Sequence, residues 1–183
     1  MLRDLSLSIF DIAQNSIAAG ATCIEITLEE GGGELRITLR DDGRGVPPQA
    51  LSRLADPFYT TRTTRKVGLG IPFLKQAAEM TGGGLEVQSS PGKGLALTAR
   101  FVATHIDMPP LGRVEESVFL LITLNPALDF VYSRRVGGAE FALDTRRLRG
   151  ILGEGASFSH PEIAAWLRDY LAEQASFLPL GKD

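Results

Sequence analysis

Asp11 and Asn15 lie four residues apart in a stretch whose apolar residues, Leu2, Leu5, Ile9, Ile12 and Ala13, recur at helical spacing. Residues i and i+4 share one face of a helix. A carboxylate able to orient a water or hydroxyl therefore stands one turn before an amide oxygen, a hard ligand suited to Mg²⁺. A solvated polar face would carry the same pair. Asp41 ends an apolar strand and is followed by Gly43 and Gly45. Its carboxylate can accept from an exocyclic amino group, and the glycines let backbone approach a flat ring; an ordinary Asp-Gly turn has the same composition. Thr60, Thr61, Arg62, Arg65 and Lys66 follow in a polar stretch. Hydroxyls and cations alternating there can close over phosphates, arginine offering a two-pronged fork; a solvated basic loop reads alike. Gly68, Leu69 and Gly70 open a helix, whose free amides and dipole favour an anion.

These residues need elements to hold them. The first helix stops at Gly20, a C-terminal glycine signal. Residues 24–28 and 35–39 alternate with period two around Gly31-Gly32-Gly33, which predicts a hairpin. Residues 41–48 form a loop by composition, and a short helix follows near 49–54. Residues 56–67 make a long loop, a kind that tends to be functional in compact domains. A helix begins at Gly68-Leu69-Gly70, accepts Pro72 in its first turn and stops at Gly82. Strands at 85–89 and 95–102 flank Ser90-Pro91-Gly92-Lys93-Gly94. Helix, two strands, loop, helix, two strands is an α+β layer and not a repeated βαβ unit.

Met108-Pro109-Pro110 marks an expected boundary, giving residues 1–106 and a small α/β unit over 107–183. That unit should hold a helix ending before Asn125-Pro126 and a hairpin around Gly137-Gly138. Its last helix should be capped by Ser159 with Glu162 and lined by Ile163, Trp166, Leu167 and Tyr170. Arg134-Arg135 and Arg146-Arg147 are expected to be solvated surface.

A formal net charge of -3 gives no global attraction to nucleic acid or anionic membrane, so any phosphate affinity must be local. The single cysteine, Cys23, cannot form an internal disulfide and reads as core packing in a reducing compartment. No signal peptide and no membrane span is predicted, so a cytoplasmic protein is expected.

In their order, Asp-x-x-x-Asn, Asp-x-Gly-x-Gly after a strand, a Phe-Thr-Thr-Arg loop and Gly-x-Gly opening a helix, the motifs resemble the GHKL ATPases over about residues 1–105. That superfamily groups gyrase, Hsp90, histidine kinases and MutL. Asn15-Ser16-Ile17-Ala18-Ala19-Gly20-Ala21-Thr22 is similar to the MutL form of the first motif, whereas Asp56-Pro57-Phe58-Tyr59-Thr60-Thr61-Arg62 and the chain through Gly94 are similar to the histidine kinase form. The resemblance implies a Bergerat-type two-layer α/β sandwich, a mixed sheet covered by helices on one face.

It also implies ATP and Mg²⁺ as cofactors. Asn15 would coordinate the metal, Asp41 would bind the adenine amino group, and Gly43 and Gly45 would shape the ring pocket. Thr60, Thr61, Arg62, Arg65 and Lys66 would form a lid, with Gly68, Leu69 and Gly70 presenting amides to phosphate. Asp11 stands where the family usually has glutamate, the candidate general base. Leu95 stands where it often has threonine, and the lid is short before Gly68.

Ten residues precede Asp11, too few for a phosphoacceptor module, and His105 and His160 read as structural or exposed. Two functions stay open: a weak ATPase or kinase acting on a separate protein, and a non-catalytic module whose lid closure on ATP controls partner binding. The expected partner is a protein, a phosphorylation target or regulated complex, with a redox or hydrogenase association implied by similar stand-alone proteins and the 107–183 unit available for partner choice or homodimerisation. A DNA-repair clamp is disfavoured by the acidic balance, and nucleic acid and membrane are not expected.

Overall fold

The computed structural model describes residues 4–51, 53–54, 70–153 and 155–178. The order of elements is α1 (Leu5–Ala18), β1 (Cys23–Gly31), β2 (Glu34–Asp41), α2 (Pro48–Leu51), α3 (Gly70–Met80), β3 (Gly84–Ser89), β4 (Leu95–Val102), α4 (Val114–Leu124), β5 (Asp129–Val136), β6 (Ala139–Asp144), α5 (Thr145–Leu152) and α6 (Pro161–Phe177). All six strands join one sheet, in the order β3-β4-β2-β1-β5-β6. It is mixed: β1 and β5 run parallel, and the other neighbours are antiparallel.

Period-two alternation decides which face each strand buries. Ile24, Ile26 and Leu28 of β1, Leu35, Ile37 and Leu39 of β2, and Leu97, Ala99 and Phe101 of β4 all point into the core. Phe130 and Tyr132 of β5 and Phe141 and Leu143 of β6 extend the same apolar layer. Against it lie Leu5, Ile9, Ile12 and Ala13 of α1, Leu74 and Ala78 of α3, Val118, Leu121 and Ile122 of α4, and Leu167 and Leu171 of α6. This is the α+β architecture expected of a Bergerat fold. On the opposite face the register sets Thr98, Thr38, Thr27 and Ser133 side by side, with Thr38–Thr98 and Ser133–Thr27 hydroxyl contacts at 3.4 and 3.1 Å.

The helix starts have local causes. Asp4 caps α1, its carboxylate accepting from the Leu7 amide, and Gly20 leaves the helix at φ +78°. Residues Leu5 and Ser6 also donate to the carbonyls of Pro110 and Leu111, which ties α1 to the segment leading into α4.

Two local expectations are corrected. Ser159 does not cap α6: His160 holds the cap position without a side-chain bond, because Pro161 fits the first helical turn, and the Ser159 hydroxyl meets that of Ser157. Arg134 is not solvated surface; its side chain is 17% exposed and bridges Glu30 and Glu115 at 2.9 and 2.8 Å. The Arg134 position faces inward with Phe130 and Tyr132 by the same alternation that buries them. Its neighbour Arg135 lies on the other face, between Glu29 and Glu140.

Candidate functional site

Asp41 is the last residue of β2, an interior strand, and pairs with Ile24 of β1 and Leu95 of β4. Its carboxylate is held from three sides. Oδ1 accepts from the amides of Gly43 at 2.9 Å and Leu95 at 3.2 Å, and Oδ2 accepts from the Ser16 hydroxyl at 2.5 Å. An ionised carboxylate offers about four lone-pair sites. Three are filled by the described residues, which leave one acceptor position on Oδ2.

Glycine is required around this carboxylate for space. A Cβ on Gly43 would come within 3.1 Å of Asp41 Oδ1 and 3.2 Å of the Ala19 carbonyl. A Cβ on Gly45 would drive into the Ser90 carbonyl, and one on Gly94 into the carbonyl of Asp41 itself. Both residues also have positive φ, +66° and +71°. Thus the loop after β2 and the turn before β4 meet backbone to backbone. They are joined by a bond from the Gly92 amide to the Arg44 carbonyl at 2.8 Å.

Asp42, one residue on, has a different task. Its carboxylate accepts from the Thr22 amide and hydroxyl at 2.7 and 2.5 Å and from the Cys23 amide at 2.9 Å, fastening the end of β2 to the start of β1. Slight burial pushes its pKa up, but the hydrogen bonds from Thr22 and Cys23 outweigh this and hold it below the usual carboxylate value.

On α1, Asp11 and Asn15 are half-buried on the flank of the apolar stripe. The start of α3 rests on that helix: a Cβ on Gly70 would lie 3.0 Å from Asp11 Cβ and 3.1 Å from Ile12 Cγ1. Asp11 therefore abuts the positive end of an 11-residue helix. Thr60, Thr61, Arg62, Arg65, Lys66, Gly68 and Leu69 lie outside the described residues.

A model of the histidine kinase-, DNA gyrase B- and HSP90-like ATPases matches residues 2–105. The chain belongs to this family. Sporulation kinase A of Bacillus subtilis is 30% identical over 100 residues, covering 55% of this chain and 16% of the kinase. Sensor histidine kinase YkoH of the same organism is 33% identical over 95 residues, 49% of this chain and 21% of that protein. The sensor histidine kinase RcsC of Escherichia coli is 33% identical over 98 residues, 51% and 10% respectively. The aligned regions thus span between 10% and 21% of these relatives' lengths. A solved N-terminal domain of a DNA repair protein shares the fold at TM-score 0.54 and 18% identity, over 77% of this chain and 52% of its own. The N-terminal part of the chain is a GHKL-type ATPase domain related to those of histidine kinases.

The residues present fit the nucleotide that such a domain implies. Among the described residues Asp41 keeps an acceptor position that an amino group on a flat ring could use, beside a loop that Gly43 and Gly45 allow to close on the Ala19 and Ser90 carbonyls. Among the described residues no cluster of three or more His, Cys, Asp or Glu could cage a metal alone.

Two residues of this arrangement escaped the sequence reading. Ser16 lies on the buried face of α1, beside Ile12 and Ala13. A serine in an apolar stripe needs a partner, which was the available signal. Ser89, the last residue of β3, donates to the Gly94 carbonyl at 2.6 Å and accepts from the Val46 amide at 2.9 Å. Its Val46 partner is 43 residues away in sequence, and nothing in its local pattern announces that bond.

Proposed function

We propose that this chain binds Mg²⁺-ATP, with Asp41 reading the adenine amino group, Gly43 and Gly45 bordering the ring, and Asn15 supplying an oxygen to the metal. Thr60, Thr61, Arg62, Arg65 and Lys66 cover the phosphates, and Gly68, Leu69 and Gly70 meet them with backbone amides. The observation that carries this reading is the single acceptor position left on Asp41 once Ser16, Gly43 and Leu95 have taken the others. A keto group at the same ring position would set acceptor against acceptor, so adenine is preferred to hypoxanthine or guanine. When bound, Mg²⁺ neutralises charge between phosphate groups. Asp11, against the start of α3, is the group that orients a water or a partner's hydroxyl or imidazole, which makes the chain a weak ATPase or a kinase for a separate protein.

Titration calorimetry with ATP and Mg²⁺ tests the reading. Asp41→Asn keeps an acceptor for the two amides, and its NH₂ can donate to Ser16. Its second N–H then points where the adenine amino group must donate. A loss of about 2–3 kcal/mol, roughly 30- to 150-fold in affinity, is expected without unfolding. Unchanged binding removes the adenine assignment.

A second reading is supported by Asp11 itself, one methylene shorter than the glutamate usual in the family. In it ATP is sensed and not consumed, and lid closure changes affinity for a protein partner. Asp11→Ala separates the two. Lost turnover with retained ATP affinity supports the enzyme, and a wild type without turnover whose partner binding follows nucleotide occupancy supports the sensor.

A further inference from the structure

We propose that Ser89 is a positioning residue that sets base selectivity by locking the two glycine loops around Asp41. The inference rests on the ATP-binding reading above. One hydroxyl serves both loops: it accepts from the Val46 amide, at the end of the loop carrying Gly43 and Gly45, and donates to the Gly94 carbonyl, at the end of the turn before β4. Gly94 is bonded to Leu95, whose amide is one of the three donors on Asp41. Gly43, on the other loop, supplies a second.

Backbone contacts also join the loops. Gly45 packs on the Ser90 carbonyl, Gly94 packs on the Asp41 carbonyl, and the Gly92 amide bonds to the Arg44 carbonyl. Glycines allow such close approach but do not enforce it, because they have the widest choice of backbone conformation. A fixed side-chain bridge is what converts proximity into a set distance. The Ser89 hydroxyl bonds to both loops directly, beside the Asp41 carboxylate, which itself links Gly43 to Leu95. Its effect at the base is indirect: the amides of Gly43 and Leu95 stay aimed at Oδ1, which leaves Oδ2 to Ser16 and the incoming amino group.

Ser89→Thr and Ser89→Val are matched in shape and differ in the hydroxyl. Displacement of a fluorescent ATP analogue by ATP and by ITP, with Mg²⁺ present, reads both affinity and base discrimination. Urea unfolding of each variant reads structural cost. Wild type and Ser89→Thr should prefer ATP by the same factor. Ser89→Val should lose roughly 5- to 10-fold in ATP affinity with little change for ITP, because an aligned hydrogen bond is lost for adenine alone. Should the valine variant fail to fold, Ser89→Ala is judged by the same ratio. An ATP-to-ITP ratio unchanged in the hydroxyl-free variant overturns the proposal, whether both affinities stay or fall together, since the latter marks a structural role only. A wild type that does not bind ATP overturns instead the reading on which the proposal stands.

Discussion

The two hairpins at opposite edges of the sheet reverse the chain with glycines in left-handed conformation, yet they do different work. Between β5 and β6, Gly137 and Gly138 have φ of +54° and +89°, and a Cβ on Gly138 would meet nothing within 4 Å. That turn reverses the chain in open space, with a backbone bond outside the hairpin running from the Gly137 amide to the Glu30 carbonyl at 3.2 Å. Between β3 and β4, Gly92 and Gly94 have φ of +75° and +71°, and Gly94 is pressed on the backbone of Asp41. The strands beside the two turns differ accordingly. The β5–β6 pair is held by side chains: Arg135 with Glu29 and Glu140, Arg134 with Glu30 and Glu115, and an edge-to-face contact of Tyr132 with Phe141. Near Asp41, backbone amides and the small hydroxyls of Ser16 and Ser89 do the holding. A site that is to admit a flat ring, as proposed for Asp41, needs thin walls, and thin walls are made of backbone.

Alanine at the two turn glycines is the strongest way to break this comparison. Gly138→Ala pays only for positive φ, about 1 kcal/mol. Gly94→Ala adds a steric collision with a carbonyl that belongs to a paired strand, so about 3–5 kcal/mol is expected. Urea unfolding midpoints compare them directly. Equal losses would mean that the β3–β4 turn is as free as the other, and that Asp41 is not clamped by it.

The next test asks whether the side-chain-held edge is independent of the site. Tyr132 is fully buried, with its hydroxyl donating to Glu115 at 2.9 Å. Burial, reinforced by the Glu115 charge, pushes its pKa well above the usual tyrosine value, so it remains a donor throughout the working range. Tyr132→Phe keeps the ring contacts and removes that bond, at a cost of about 1–2 kcal/mol. ATP affinity should not change. A loss of affinity comparable with that of Asp41→Asn would show that the two edges are coupled.

What could be read from the sequence follows the same division. The alternation of β1 and β2 is visible because each buries one face, the β5–β6 hairpin through its Gly-Gly turn, and the strand expected over residues 95–102 matches β4 to the residue. Asp41, Gly43 and Gly45 are visible through residue type and order. The α5 helix is not, since its single inward-packing apolar residue, Leu148, sets up no period; α5 is instead started by the Asp144 cap, and Arg149 in its last turn ties it to the carbonyls of Pro126 and Leu128. Ser16 and Ser89 act across 25 and 43 residues of sequence, on Asp41 and Val46. Spacing within one helix or strand carries no record of such pairs. The alternation that buries Phe130 and Tyr132 also reaches Arg134, an arginine whose residue type alone suggests exposure and whose charge is met inside by Glu30 and Glu115.

The smallest effect separates two aspartates, each at a strand end. Asp42 follows β2 and is held by neutral donors of Thr22 and Cys23; Asp144 ends β6 and is held first by the Arg146 guanidinium and then by the Arg146 amide. Both pKa values lie below the usual carboxylate range. A lowered folded-state pKa means stability that is present above the unfolded value, about 4, and lost as pH falls through the folded one. Asp42→Asn and Asp144→Asn should each flatten part of that acid limb, by no more than about 1 kcal/mol because the groups are near solvent and screened. Salt distinguishes them. Raising ionic strength weakens the attraction between Asp144 and Arg146 but leaves neutral hydrogen bonds nearly untouched. Acid unfolding at low and high salt should therefore show a contribution of Asp144 that shrinks and one of Asp42 that persists. If both shrink alike, Asp42 is held by the general field of the protein and not by the donors at the start of β1, and the clamp on the site side of the sheet is looser than its hydrogen bonds indicate.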